Sequence, residues 1–178
     1  TIDKGNFNET EMVNSAGVAL QRQIDEVIIP EMDQYRLEKM CDNAGTTSAP
    51  LDIDANNAYE AFLDGQMILT DNKVPVGGRV CFVSPHFHKC IKLDDSFIKN
   101  SDIGQNMLIK GQVGMVDGVP LILVPSSYLP SDVEFIITNP LATVAPVKLA
   151  EYKVHDNPPG INGWLVEGRV CYDAFVLN

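Results

Sequence analysis

Apolar residues recur at intervals of three and four from Asn8 to about Asn43, with Met12, Ala16, Leu20, Ile24 and Val27 forming one stripe. That spacing predicts a long amphipathic helix. Asn8, followed three residues on by Glu11, resembles a capping box, and Glu9 and Glu11 suit the positive end of the helix dipole. Arg22 is placed to pair with Asp25 or Glu26 one turn later. Pro30 lacks an N–H and crowds the preceding turn, so it is expected to kink or split the run. Gly45 is expected to supply a left-handed stop. A helix of about thirty residues extends about 50 Å, against a radius of gyration of about 16 Å for a compact chain of this length. The pattern therefore predicts an elongated subunit that leans on neighbours.

The stretch "NAGTTSAPLDID", Asn43 to Asp54, is rich in turn formers and predicts a lobe boundary. A second helix is expected over Ala55 to Leu69, with Ala58, Ala61, Phe62 and Leu69 facing inward. Arg79 to Val83 is apolar after its first residue, as a strand buried on both faces would be. Ser84-Pro85 then fits an N-cap and a first-turn proline opening a helix over His86 to Leu93. Helical signal returns at Ile103 to Leu108. Asp117-Gly118 predicts a two-residue hairpin turn, and Leu121 to Val124 a buried strand ending at Pro125. At least two more strands are expected around Asn139-Pro140. The tail "GWLVEGRVCYDAFVLN" alternates as a strand, with Trp164, Val166, Val170, Tyr172 and Phe175 available for packing. The class is α+β, without internal repeats.

At 178 residues the chain can form one domain or two interleaved lobes. Its 45% hydrophobic and 21% charged residues are those of a folded rather than a disordered protein. The net charge of -11 argues against specific nucleic-acid binding and against docking on anionic membranes. No window reaches the roughly 18 unbroken apolar residues of a membrane span, and no signal peptide opens the chain. Residue 1 is Thr, so a fragment or a processed product is expected. Cys41, Cys81, Cys90 and Cys171 show no CxxC pair and no disulfide-framework spacing. Reduced thiols of a cytosolic protein are the expectation, with two disulfides as the alternative.

The stretch "VCFVSPHFHKC", Val80 to Cys90, concentrates two cysteines and two histidines. On the expected helix, His86 and Cys90 lie four apart on one side, a spacing that suits a metal. Further ligands would have to come from a distance, and His155 is the remaining histidine. Against this, Cys81 reads as a small packed hydrophobe, and His86 and His88 as residues on a wet helix face. Cys90 activated by His86 is a conceivable nucleophilic pair, but it sits too far into the helix to gain from the N-terminal field. Gly111, Gly114 and Gly118 read as turn glycines, because no Gly-Lys-Ser/Thr ending follows. Asp52, Asp54, Asp94, Asp95, Glu151 and Asp156 are scattered and read as solvated surface without an acid/base couple. No catalytic, cofactor-binding or metal residue is assigned. A metal- or thiol-dependent enzyme centred on His86 and Cys90 stands as the alternative from a different class.

The order of four segments adds a resemblance. The stretch "IDEVIIPEMDQYRLEKM" is followed by "VPVGGRVCFVSPHFHKCIKLDDSF" and "GQVGMVDGVPLILVPSSYLP", and then by "IITNPLATVAPVKLAEYKVHDNPPGINGWLVEGRVCYDAFVLN". This order resembles the major capsid (coat) proteins of tailed bacteriophages and prophages, which share the HK97-like fold. The resemblance implies a spine helix over about 9–43 and a peripheral domain begun by residues 1–50. It also implies an axial domain over 51–142, entered by the strand in Val74 to Pro85 and a short helix ending near Phe97. Residues 143–178 would return as strands, and the N-terminal arm and most of the E-loop would precede Thr1.

The implied function is structural rather than enzymatic. Copies of the chain would form pentamers and hexamers of an icosahedral head enclosing double-stranded DNA, with scaffold and portal proteins as partners and without cofactor, membrane or specific nucleic-acid binding. The location would be the virion, and the host cytoplasm during assembly. Some relatives crosslink through a Lys–Asn bond, but no motif here locates one. An encapsulin-like shell that binds a cargo peptide is the alternative within the same fold.

Overall fold

A computed structural model gives the structure of the chain and describes residues 2–5, 16–94 and 112–177. The capping box at Asn8 and Glu11, the neighbouring Glu9 and Met12, Asp95, the helix end near Phe97, the helix at Ile103 to Leu108, and Gly111 lie outside the described residues.

Pro30 shapes the first helix without breaking it. Helix α1 (Ala16–Gln23) passes through a π turn (Ile24–Ile28) into helix α2 (Ile29–Asp42). The Ile29 N–H reaches back five residues to the Ile24 carbonyl. The widened turn lies directly ahead of Pro30 and accommodates the absent N–H and the ring that would clash with a regular turn. The expected kink or split is thus replaced by a π bulge. The extra residue per turn also rotates the apolar stripe, so Leu20 and Ile24 are half-buried while Val27 is exposed.

Helix α2 ends without the glycine stop. Both the backbone N–H and the side-chain Nδ2 of Asn43 donate to the Lys39 carbonyl, at 3.2 and 3.0 Å. Gly45 is not among the glycines with positive φ. The Asn43 amide satisfies an end carbonyl of the helix and removes the need for a left-handed residue.

In chain order the remaining elements are β1 (Ile2–Asp3), α3 (Ala58–Asp71), β2 (Val80–Val83), α4 (Pro85–Leu93), β3 (Gln112–Val116), β4 (Val119–Leu123), β5 (Phe135–Thr138), β6 (Thr143–Val144), β7 (Val147–Asp156), β8 (Gly163–Tyr172) and β9 (Phe175–Val176). The chain divides into two compact units, Thr1–Arg36 with Ala145–Ala174, and Leu37–Val144 with Phe175–Asn178. The first cut falls inside α2, ahead of the turn-rich connector, and the second falls close to residue 143.

The second unit is built on a four-stranded sheet of order β3-β4-β2-β5. Strand β2 runs parallel to β4 and antiparallel to β5. Cys81 and Val83 join Phe62 of α3 and Phe87 and Ile91 of α4 in one buried cluster. Phe82 packs in a second cluster, with Leu37, Val124 and Leu129. Alternate residues of β2 thus supply two cores, as its apolar run implies. Asp117 and Gly118, both at positive φ (47° and 78°), turn β3 into β4, the backbone that a primed hairpin turn demands. Gly114 lies in β3 at a register shift, not in a turn. Helix α3 begins later than Ala55, because Asp54 Oδ1 accepts from the N–H groups of Asn56 and Asn57 and holds those residues in a turn. Of its four expected inward residues, Ala58 and Phe62 are buried, and Ala61 and Leu69 half-buried.

The first unit has a three-stranded sheet of order β1-β8-β7, dominated by the β7–β8 hairpin. Gly163 in β8 lies so close to β1 that an added Cβ would clash with the Ile2 carbonyl oxygen. Every buried hydrophobic side chain among the described residues belongs to the second unit. The tail is not one strand. Strand β8 stops at Tyr172, Asp173 Oδ1 accepts from the Ala174 N–H at 2.8 Å, and the chain then enters β9, which pairs with β6. Phe175 is consequently 51% exposed rather than packed beside Trp164 and Val166.

Candidate functional site

The junction of β2 and α4 forms as the local sequence dictates. Ser84 Oγ accepts from the Phe87 N–H at 3.0 Å and Pro85 occupies the first turn, which satisfies an otherwise unpaired helix donor. His86 and Cys90, one turn apart, come together with Nε2 to Sγ at 3.8 Å. Cys90 is buried in the first cluster, with the Ile53 carbonyl 4.0 Å from its sulfur.

A third residue joins them that the local sequence does not announce. Glu134, just ahead of β5, places Oε1 3.3 Å from His86 Nδ1. Its other oxygen accepts from Ser84 Oγ, and its carbonyl accepts from the Ser84 N–H at 2.9 Å. The register that pairs Val83 with Phe135 delivers Glu134 to the helix start from fifty residues away. The available signal was a charged residue at the entry to an apolar strand. It becomes informative only once the β2–β5 pairing is known.

The other residues of the stretch separate. Cys81 is fully buried on the sheet, and burial pushes its thiol far above the ordinary range. His88 departs from the wet-face expectation. It is half-buried, its Nε2 has no hydrogen-bond partner among the described residues, and burial, aided by Lys92, lowers its pKa. His155 belongs to the other unit, where Nε2 lies 2.8 Å from Glu167 Oε1. Among the described residues, no group of three or more His, Cys, Asp or Glu side chains gathers in a metal-holding arrangement.

The scattered carboxylates remain apart. Asp52, Asp54, Glu151 and Asp156 are exposed. Asp94 corrects the surface expectation, since it is buried and accepts from the Tyr59 N–H at 3.2 Å in the first turn of α3. Its charge thus sits where the helix dipole favours it.

A second candidate is the exposed apolar surface. In the β6–β9 pair Val144 faces Phe175 across the strands. Val144, Phe175, Leu141 and Leu177 are all exposed, Leu141 at 76%. In the first unit Val18, Val27, Val147 and Val154 are exposed as well. Val144 and Phe175 lie on the two-residue strands β6 and β9, Val147 and Val154 on β7, Val18 in α1 and Val27 in the π turn. Among the described residues, no helix is long and apolar enough to cross a membrane.

No protein-family model matches the chain, and no curated protein matches it in sequence. Among solved structures, the chain is similar in fold to one from Mycobacterium phage Che8, with a TM-score of 0.74 and 16% sequence identity. The likeness covers 99% of this chain, which spans 64% of the phage chain's length. The mixed α+β fold is therefore one that a phage protein also adopts.

Proposed function

We propose that the chain is a shell subunit, the major capsid protein of a tailed phage or prophage with the HK97-like fold. The observation that carries the reading is the fold likeness to a phage chain across nearly all of this chain, coinciding with a segment order that resembles the coat-protein family. In this reading residues 1–50 begin a peripheral domain, residues 51–142 form an axial domain, and residues 143–178 return as peripheral and axial strands. The role is structural, and the partners are further copies in pentamers and hexamers, with scaffold and portal proteins during assembly. Exposed Val18, Val27, Val147 and Val154, in a unit whose described residues bury no hydrophobic side chain, suit a subunit that covers apolar area by association. The net charge of -11 suits a wall that encloses DNA without binding it tightly.

Sedimentation of the product of the complete gene, expressed with its neighbouring scaffold gene, tests the proposal. Fast-sedimenting closed particles are expected, and a monomer under all conditions would remove the reading. Genes for terminase and portal beside the coding gene favour a phage head, and a cargo-enzyme gene favours a compartment shell.

A further inference from the structure

The β2–α4 junction aligns a carboxylate, an imidazole and a thiol. Glu134 Oε1 lies 3.3 Å from His86 Nδ1. As the acceptor of the Nδ1–H, the carboxylate leaves Nε2 as the nitrogen with a free lone pair. That nitrogen faces Cys90 Sγ at 3.8 Å. A tetrahedral zinc ion, with bonds of about 2.0–2.1 Å to nitrogen and 2.3 Å to sulfur, holds those two ligands about 3.5 Å apart. A shift of a few tenths of an ångström would let both atoms share one ion.

We propose that His86 Nε2 and Cys90 Sγ form a two-ligand site for a divalent ion of the zinc class, with Glu134 orienting the imidazole. A thiolate beside an imidazole selects zinc-like ions over magnesium or calcium. A carboxylate on the far nitrogen is the usual support for a ligating histidine, because it fixes the tautomer and raises the ring's basicity. His86 is exposed while Cys90 is 7% exposed, so the ion approaches the pair from the imidazole side, where water completes its shell. On binding, the Cys90 S–H bond breaks, its proton passes to solvent, and a metal–sulfur bond forms. Glu134 also accepts from Ser84 Oγ, so the bound ion would tie the helix cap to the following turn. The site is independent of the shell reading.

The test is titration of the reduced 178-residue chain with Co²⁺ in chelator-free buffer, followed by the thiolate-to-metal charge-transfer absorption. One equivalent should develop the band, and Zn²⁺ should displace it. Cys90→Ser and His86→Ala should each abolish it, and Glu134→Gln should weaken binding by about 10–100-fold. The Cys41→Ser/Cys171→Ser double variant should keep it. Because His86 is exposed, the His86→Ala chain is expected to fold, and Zn²⁺ should raise the melting temperature of the parent chain but not of this variant. No band, a band that survives in Cys90→Ser or His86→Ala, or one lost in the double variant would each overturn the proposal.

Discussion

The rings of Tyr35 and Tyr172 meet edge to face, their centroids 5.5 Å apart and their planes at 81°. Around them, Tyr35 Oη donates to Asp173 at 3.0 Å and Tyr172 Oη donates to Glu31 at 3.1 Å. In a unit whose described residues bury no hydrophobic side chain, this amphipathic contact joins α2 to the end of β8. Aromatic pairs of this geometry are worth about 0.5–1.5 kcal/mol beyond their buried area. A double-mutant cycle of Tyr35→Leu and Tyr172→Leu by chemical denaturation should show coupling of about that size. Additive effects would mean that the rings do not support each other.

Among the described residues Arg79 is the largest fully buried side chain, 2% exposed. Its guanidinium donates to the Val74 carbonyl at 2.6 Å, the Pro75 carbonyl at 3.0 Å and Gln66 Oε1 at 2.5 Å. It therefore ties the last turns of α3 to the loop entering β2. Arg79→Met would leave Gln66 Oε1 and the Val74 carbonyl, on half-buried residues, without this donor, at a cost on the order of 3 kcal/mol. Arg79→Lys should recover only part of it, because an ammonium lacks the planar fork. Equilibrium unfolding of both variants reads the difference.

The thiols should separate by burial. Cys171 is exposed and should alkylate first under native conditions. Cys41 should lag, since burial first, then the Asp42 and Glu38 charges, raises its pKa. Cys81 should react only as fast as the second unit opens. Mass-spectrometric timing of iodoacetamide labelling checks the order, and early labelling of Cys81 would contradict the sheet's two-faced burial.

His88 makes stability depend on pH. Burial holds its folded pKa below the ordinary value, so the unfolded chain takes up the proton more readily. Its contribution is complete above the unfolded pKa of about 6.5 and is lost as pH falls from there toward the lowered folded value. Denaturation midpoints from pH 7.5 downward should therefore decline less in His88→Gln than in the parent chain. Equal slopes would show that other groups govern the decline.

What the sequence made legible was local. Ser84-Pro85 and Asp117-Gly118 act within a few residues of themselves, and the cap and the turn form where they stand. The two-faced burial of β2 was legible as an unbroken apolar run, because each of its faces meets apolar neighbours. Glu134 at the helix start, Arg79 under α3 and Asp94 at its first turn depend on partners brought by long-range pairing, which no local pattern announces. Pro30 marked its place correctly but not its consequence, because a break and a π turn both relieve the same clash. Phe175 continued an alternating pattern, yet the Asp173 turn moved it to a different sheet.

The most direct test of the shell reading is cryo-electron microscopy of the product of the complete gene under assembly conditions. Closed icosahedral particles are expected, their pentamers and hexamers built from this fold, with Val18, Val27, Val147 and Val154 covered by neighbouring copies. A monodisperse, unassembled protein with those residues still in solvent would contradict it.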